Sequence, residues 1–261
     1  MAAAVRAVFF DLDDTLVLTS KHDRRAYEAV REKVAANVQG VDTDALVAAF
    51  KADFGQTPWD PAYPAEKTSV FDHRASIWAA ALKEQMKKGC AAMDDAAIYE
   101  LGKELQTCFD ETRMADFPFD DGAADVVRKL QAKNVRTVVI TNGHHVVQHA
   151  KLIACKATDL FDPNDIIVGG DEVVAGRKEK PDKGIFEKAC TIAGVAPGEA
   201  VHVGDSLKTD VQGAINAQLG GSVWVNASGK ARKDTDPVPT ATIVAIKELE
   251  SALASTFGLT L

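Results

Sequence analysis

Short apolar, β-branched runs alternate with helical patterns along most of this chain, and that alternation restricts the fold more than any other feature. The runs lie at 5–10, 135–141, 165–168, 200–203 and 222–225. Between the later ones, residues 122–133, 144–157, 183–193 and 209–218 carry apolar side chains at helical spacing. Strands separated by helices imply βαβ units and a parallel sheet. A strand buried on both faces reads as a continuous apolar run, as "RAVFF" at 6–10 and "RTVVIT" at 136–141 do. The fold class expected is α/β.

One interval breaks the alternation. From Leu16 to about residue 115 there is no good strand. Residues 20–38 place Ala26, Tyr27, Val30, Val34 and Val38 at helical spacing, and 43–54, 69–87 and 94–113 also read as helices. Glycine and proline punctuate them, as in "GQTPWDPAYP" at 55–64. Such a stretch is far longer than a crossover connection needs. Residues 1–17 and 116–261 are therefore expected to form the sheet core, and 18–115 an inserted α-helical cap domain. The alternative is an irregular helical extension elsewhere on the fold. The cap is favoured because the insertion leaves the sheet just after a group of aspartates. The segment 228–240, "SGKARKDTDPVPT", reads as a surface loop, and 244–254 as a short final helix packing on the sheet.

The formal net charge is −8. Phosphate-backbone binding needs a clustered basic surface, so nucleic acid is not an expected partner. No apolar run approaches the ~18 residues of a membrane span. The first core strand is expected to start by Val5, which leaves no room for a targeting segment. The cysteines, Cys90, Cys108, Cys155 and Cys190, are scattered and form no CxxC pair. They read as reduced thiols, mostly buried in helices, and the expected location is cytoplasmic.

The group of aspartates stands in "VFFDLDDTLV", residues 8–17. Ligands of open α/β sheets bind beyond the carboxyl ends of the strands, and Asp11 and Asp13 fall just past the first. In extended chain, residues i and i+2 point the same way, so both carboxyl groups are expected to converge there, with Leu12 facing apolar packing. Like charges at one point need an offset, and oxygen-only ligands suit Mg²⁺. "VHVGDSLKTD" places Asp205 past another strand end and Asp210 about a helical turn beyond. "VVITNG" ends in Thr141, Asn142 and Gly143, where a hydroxyl and free N–H groups at a helix start would suit an anion. "KEKPDKGIF" supplies Lys180 before Pro181, with Pro181 expected to open a helix.

"DLDDT", "TNG", "KP" and "GDSLKTD", in that order, resemble the motifs of the haloacid dehalogenase-like hydrolase superfamily, with the likeness running over nearly the whole chain. The resemblance implies a Rossmann-like core and a Mg²⁺-dependent phosphomonoesterase. By position, it makes Asp11 the nucleophile that forms an aspartyl-phosphate. Asp13 becomes the general acid and then the general base. Mg²⁺ would lie on Asp11, the main-chain carbonyl of Asp13, and Asp205. Thr141, Lys180 and the Asn142 backbone would hold the phosphoryl oxygens, with Lys180 also catalytic. Asp210 would support Lys180 or the metal shell. Asp14 has no catalytic role. A crowd of carboxylates favours protonated Asp13 while Mg²⁺ opposes it, so its protonation state stays open.

A dehalogenase would share the Asp nucleophile without needing Asp13 or Mg²⁺, and an aspartyl-phosphate ion pump would carry membrane helices. A sugar phosphomutase or a phosphoglycolate-type phosphatase shares the motifs. "VRAVFFDLDDTL", "RASIWAAALKE", "GVAPGEAVHVGDSLKTDVQGAINAQLG" and "VWVNASG" resemble the N-acylneuraminate-9-phosphatase family. That likeness implies a sialic acid 9-phosphate, a small phosphorylated metabolite, acted on by a monomer or weak homodimer. Arg24, Arg25 and Arg74 are candidates to meet its carboxylate, although an exposed helix charge is the commoner reading of each. His73 reads as a surface histidine. His145 and His149 are spaced i, i+4 but lack the Glu and third ligand of a zinc site. Trp59, Trp78 and Trp224 read as packing residues. A catalytically silent binding protein is the non-enzyme alternative, and it would not need Asp11, Asp13, Lys180 and Asp205 all intact.

Overall fold

The structure, a computed structural model, describes residues 4–56, 69–87 and 93–261. Two compact units divide it, Met1–Thr19 with Pro118–Leu261, and Ser20–Phe117. The chain begins in the first with β1 (Ala7–Phe10), passes through the second, and returns.

The Ser20–Phe117 unit is helical: α1 (Thr19–Asn37), α2 (Thr43–Gln56), α3 (Val70–Met86) and α4 (Asp95–Met114). Ser69 and Asp94 cap α3 and α4 by accepting the Asp72 and Ala97 N–H groups. The apolar faces meet in one core that includes Tyr27, Val30, Val34, Leu46, Phe50, Leu82 and Leu105. Trp78 is its largest fully buried side chain; it stacks on Phe50 at 3.7 Å between ring centroids and donates its indole N–H to Gln106. Helices α3 and α4 approach closely at Gly102, where a Cβ would lie 2.4 Å from the Ala75 carbonyl oxygen. Trp59, Cys90 and "GQTPWDPAYP" beyond Gln56 lie outside the described residues.

The other unit continues with α5 (Ala123–Ala132), β2 (Arg136–Thr141), α6 (His145–Ala154), β3 (Ile166–Val168), α7 (Gly169–Val174) and α8 (Lys183–Ala193). Then come β4 (Ala200–Gly204), α9 (Gln212–Asn216), β5 (Gly221–Val225), β6 (Ala241–Ile243) and α10 (Leu249–Phe257). The strands form one parallel sheet in the order β3-β2-β1-β4-β5-β6. Side chains alternate across it. Ala7, Phe9, Val138 and Ile140 share a core with Ile185, Phe186 and Ala189 of α8. Phe10, of the opposite parity, meets Phe161 edge-on. Each fully buried apolar side chain of this kind contributes about 1.5–3 kcal/mol relative to exposure.

The strands expected from the sequence are present with ends shifted by a residue or two. Two elements were not expected. Strand β6 has three residues and directly follows the long polar loop, and α7 begins with two glycines, which read as a turn. Pro181 does not open α8; the helix starts at Lys183 with Asp182 as its cap, and Lys180–Pro181 is a cis peptide.

The sequence order reverses at β1, with β2 on one side and β4 on the other. Phe10 lies level with Val139 and Val203, so the chain leaving β1 and the chain leaving β4 emerge side by side. That is the switch point where an open α/β sheet forms its ligand crevice.

Candidate active site

Asp11 follows β1 directly, and its N–H still bonds the Val203 carbonyl at 2.9 Å. The backbone then turns. Leu16 and Val17 donate to the Leu12 carbonyl, and Asp14 adopts a left-handed φ of 54°. The turn ends the extended chain in which the i, i+2 rule applies, yet the Asp13 carboxyl stays near enough for its charge to raise both Asp11 and Asp205. Leu12 is buried as expected, and the Asp13 carboxylate takes its hydrogen bonds from Thr19, Gln148 and Lys151.

The Asp11 carboxylate joins those of Asp205 and Asp210, with one oxygen from each lying within 4.8 Å of the others. Lys180 enters the group from the loop before α8 and donates to Asp11 Oδ1 at 2.6 Å and Asp210 Oδ1 at 2.7 Å. Asp210 also meets His202 Nε2 at 2.9 Å and accepts the Ser206 N–H at 2.9 Å. A π-helical turn, Leu207–Val211, presents Asp210 back toward the strand end. Asp205 is anchored through its main-chain carbonyl, which accepts the Trp224 indole N–H at 2.7 Å, so Trp224 does more than pack.

The charges do not cancel. Burial, and then the neighbouring aspartates against the pull of Lys180, hold the Asp11 carboxyl well above the usual range. Burial, Asp210 and Asp14 push Asp205 up to about 7. Burial also opposes ionisation of Asp210, but Lys180 and His202 outweigh it and keep Asp210 low. Burial opposes charge on Lys180 as well, yet Asp11 and Asp210 prevail and hold it protonated. Burial keeps His202 neutral. One ammonium therefore faces three carboxyl groups, of which Asp11 and Asp205 are held toward their protonated forms. An oxygen-only donor set that becomes negative when those protons leave can hold a divalent metal.

The opposite flank is built from β2 and α6. Thr141 ends β2, is fully buried, and accepts the Gln148 side-chain amide on Oγ1. The Asn142 side chain is committed to the Lys180 backbone, donating to its carbonyl at 2.7 Å and accepting its N–H at 3.0 Å. The expectation of free N–H groups here is corrected at Gly143, whose N–H donates to Glu179 Oε2 at 3.1 Å.

Asp13 Oδ1 accepts Thr19 Oγ1 at 2.5 Å and Lys151 Nζ at 2.6 Å. Its Oδ2 accepts Gln148 Nε2 at 2.9 Å and Lys151 Nζ at 2.8 Å. Burial pushes this carboxyl up, but the Lys151 charge and the named donors outweigh burial and hold Asp13 below its ordinary range.

Sequence reasoning missed Thr19, Gln148, Lys151, Glu179 and His202. A signal existed for two of them. Gln148 and Lys151 stand i, i+3 beside Leu152 on the buried face of α6, where polar side chains need partners. The histidines that drew attention on the same helix lie apart from this network: His149 pairs with Asp171 at 2.8 Å, and His145 stacks on His144.

In the helical unit, Arg74 is not an exposed helix charge. It is buried, with its guanidinium over the Phe54 ring and 3.9 Å from Asp110, and burial, then Arg113, lowers its pKa to about 10. Arg24 is exposed, and Arg25 donates to the Thr112 and Asp116 carbonyls. His73 is half-buried. Cys155 and Cys190 are buried, which raises both thiols to about 11, and Cys108 is half-buried.

The family model described as haloacid dehalogenase-like hydrolase matches residues 5–218. The chain is a haloacid dehalogenase-like hydrolase. Human N-acylneuraminate-9-phosphatase is 32% identical over 96% of this hydrolase and 94% of its own length. Glyceraldehyde 3-phosphate phosphatase of Pyrococcus furiosus is 27% identical over 89% and 85%. The crystal structure of 2-haloacid dehalogenase from Pseudomonas syringae pv. Tomato DC3000 has a TM-score of 0.63 at 27% identity, covering 96% of this chain and 98% of that one. Among the described residues, no helix of this hydrolase is long and apolar enough to cross a membrane.

Proposed function

We propose that this hydrolase is a Mg²⁺-dependent phosphomonoesterase that works through an aspartyl-phosphate on Asp11, with N-acylneuraminate 9-phosphate as its substrate. One observation carries the reading: Asp11 stands at the switch point of the sheet within a carboxylate cluster, with the Lys180 ammonium 2.6 Å from its Oδ1.

An Asp11 oxygen attacks phosphorus, and the ester oxygen leaves with a proton from Asp13. Water then attacks the acyl phosphate, Asp13 takes the water proton, and inorganic phosphate departs. The first step draws on protonated Asp13, the minor form beside Lys151, and the second needs Asp13 as a carboxylate, the form that Lys151 favours. Thr141, Lys180 and the Asn142 backbone bind phosphoryl oxygens, and Asp210 with His202 orients Lys180. Asp11, Asp205 and the main-chain carbonyl of Asp13 would hold Mg²⁺, whose charge offsets that of the carboxylates and the phosphate dianion.

The substrate choice rests on likeness to the N-acylneuraminate-9-phosphatases, higher in identity and coverage than that to the glyceraldehyde 3-phosphate phosphatase. A dehalogenase shares the nucleophile but has no work for a second, firmly held aspartate, which favours phosphoester chemistry.

Phosphate release across a panel tests this: N-acetylneuraminate 9-phosphate, glyceraldehyde 3-phosphate, phosphoserine, phosphoglycolate and hexose 1- and 6-phosphates, each with Mg²⁺ and with EDTA. The expected result is chelator-sensitive release, fastest from the sialic acid ester and abolished in Asp11→Asn. Release that persists in Asp11→Asn would remove the covalent mechanism, and a faster turnover of another ester would replace the substrate.

A further inference from the structure

We propose that Gln148 and Lys151 of α6 are positioning residues that fix the Asp13 carboxylate relative to Thr141. This deepens the function proposed above and rests on it. Both side chains are buried, Gln148 to 2% and Lys151 to 5% exposure, on the face of α6 that packs inward. Lys151 binds both Asp13 oxygens, at 2.6 and 2.8 Å. A single ammonium on both oxygens restrains rotation of the carboxylate about its own axis. Gln148 adds the link to the phosphate side, because its amide nitrogen bonds both Asp13 Oδ2 and Thr141 Oγ1. Thr19 holds the remaining side of Oδ1. Thr141, at the end of β2, would anchor the phosphoryl group, and Asp13 would serve the oxygen leaving it. Gln148 thus sets the spacing between anchor and acid. The nucleophile has its own support in Lys180, which Asp210 holds in turn.

A displaced acid has a specific signature. A leaving group that departs readily as an anion does not need the proton, whereas a basic one does. Loss of the arm should therefore penalise poor leaving groups selectively. A general structural weakening would slow all substrates alike.

The test uses full-length protein with Mg²⁺ and two aryl esters, p-nitrophenyl phosphate and phenyl phosphate, the latter releasing the more basic phenol. kcat/KM isolates formation of the phosphoenzyme and release of the phenol. Lys151→Met also removes the ammonium that favours ionised Asp13, and the lost alignment is expected to outweigh that gain: kcat/KM for phenyl phosphate falls about 100-fold, the scale of general acid catalysis, and that for p-nitrophenyl phosphate less than about tenfold. Lys151→Arg is expected to recover part of the phenyl phosphate rate. Gln148→Met keeps the Lys151–Asp13 pair and serves if Lys151→Met fails to fold; it should show the same selectivity at smaller size. Equal losses on both esters, or none on either, would overturn the positioning role. Turnover that survives Asp11→Asn would instead strike the phosphoenzyme reading, so the two failures are distinguishable.

Discussion

Gly204 has no Cβ, and the Asp210 carboxyl group occupies the place where one would be. A Cβ built on Gly204 would lie 2.3 Å from the Asp210 carboxyl carbon and 2.5 Å from Oδ2. The glycine therefore permits the contacts by which Asp210 holds Lys180, His202 and the Ser206 N–H. In Gly204→Ala the carboxylate must move out of that network, as an overpacked side chain does, at about 1–3 kcal/mol. Urea denaturation should show that loss, and phosphate release should fall with it. Gly198→Ala, where a Cβ meets nothing within 4 Å, is the control and should match wild type. A stable, active Gly204→Ala would mean that Asp210 is free to relocate.

Asp11→Asn separates the reaction from stability. Burial raises the Asp11 carboxyl, so ionised Asp11 is a cost to the metal-free fold. The sign is that of a raised folded-state value: the penalty is absent below the unfolded value near 3.8 and grows as pH rises toward the higher folded one. An amide of the same shape removes the charge, and Lys180 keeps Asp210 as partner. The variant should release no phosphate, yet melt at the same or a higher temperature than wild type at pH 7 in EDTA. A markedly lower melting temperature would show that Asp11 stabilises the fold through Lys180.

Metal affinity should rise with pH. The Asp205 carboxyl, held up to about 7 by burial, Asp210 and Asp14, must lose its proton before it can bind a cation. Mg²⁺ binding should weaken at least about tenfold per pH unit below that value, because Asp11, also held up, must lose its proton as well. Calorimetric titration with Mg²⁺ alone at pH 5.5, 6.5 and 8, in buffers of different ionisation heat, measures both affinity and proton release. Affinity that does not change over this range would exclude Asp205 as a ligand in its raised state.

The parts of the site that lie at strand ends were legible in the sequence. Asp11, Thr141 and Asp205 each follow or end an apolar run, and the parallel sheet brings such ends to one edge. Lys180 was legible for the same reason, since a loop before a helix of this sheet must pass that edge. The partners of Asp13 were not. Thr19, Gln148 and Lys151 reach it from α1 and α6, and no motif around Asp13 signals them. Helical periodicity sorts apolar from polar positions, so Gln148 and Lys151 read as surface unless their i, i+3 spacing on the Leu152 face is weighed against it. Arg74 shows the same blindness, with a partly exposed ion-pair partner, Asp110, and an aromatic ring in place of solvent.

Glu172 tests how the Lys180 loop is held. It lies on α7, is 3% exposed, and accepts Arg177 from the segment leading to Lys180 and Lys188 from α8. The Arg177 hydrogen bond, against burial and with help from Lys188, lowers the carboxyl from its ordinary value of 4.5. A depressed acid contributes stability that is present above the unfolded value and lost as pH falls through the folded one. Glu172→Gln keeps the shape and removes the charge, which should cost about 1–3 kcal/mol at pH 7. The difference should shrink as both proteins are taken from pH 5 toward pH 3, where wild-type Glu172 becomes protonated too. Denaturant midpoints across that range measure it. Phosphate release by the variant should fall through kcat more than KM, because a loosened loop lets Lys180 drift from Asp11 while leaving Thr141 in place. A constant stability gap at every pH would mean that Glu172 acts by packing and not by charge.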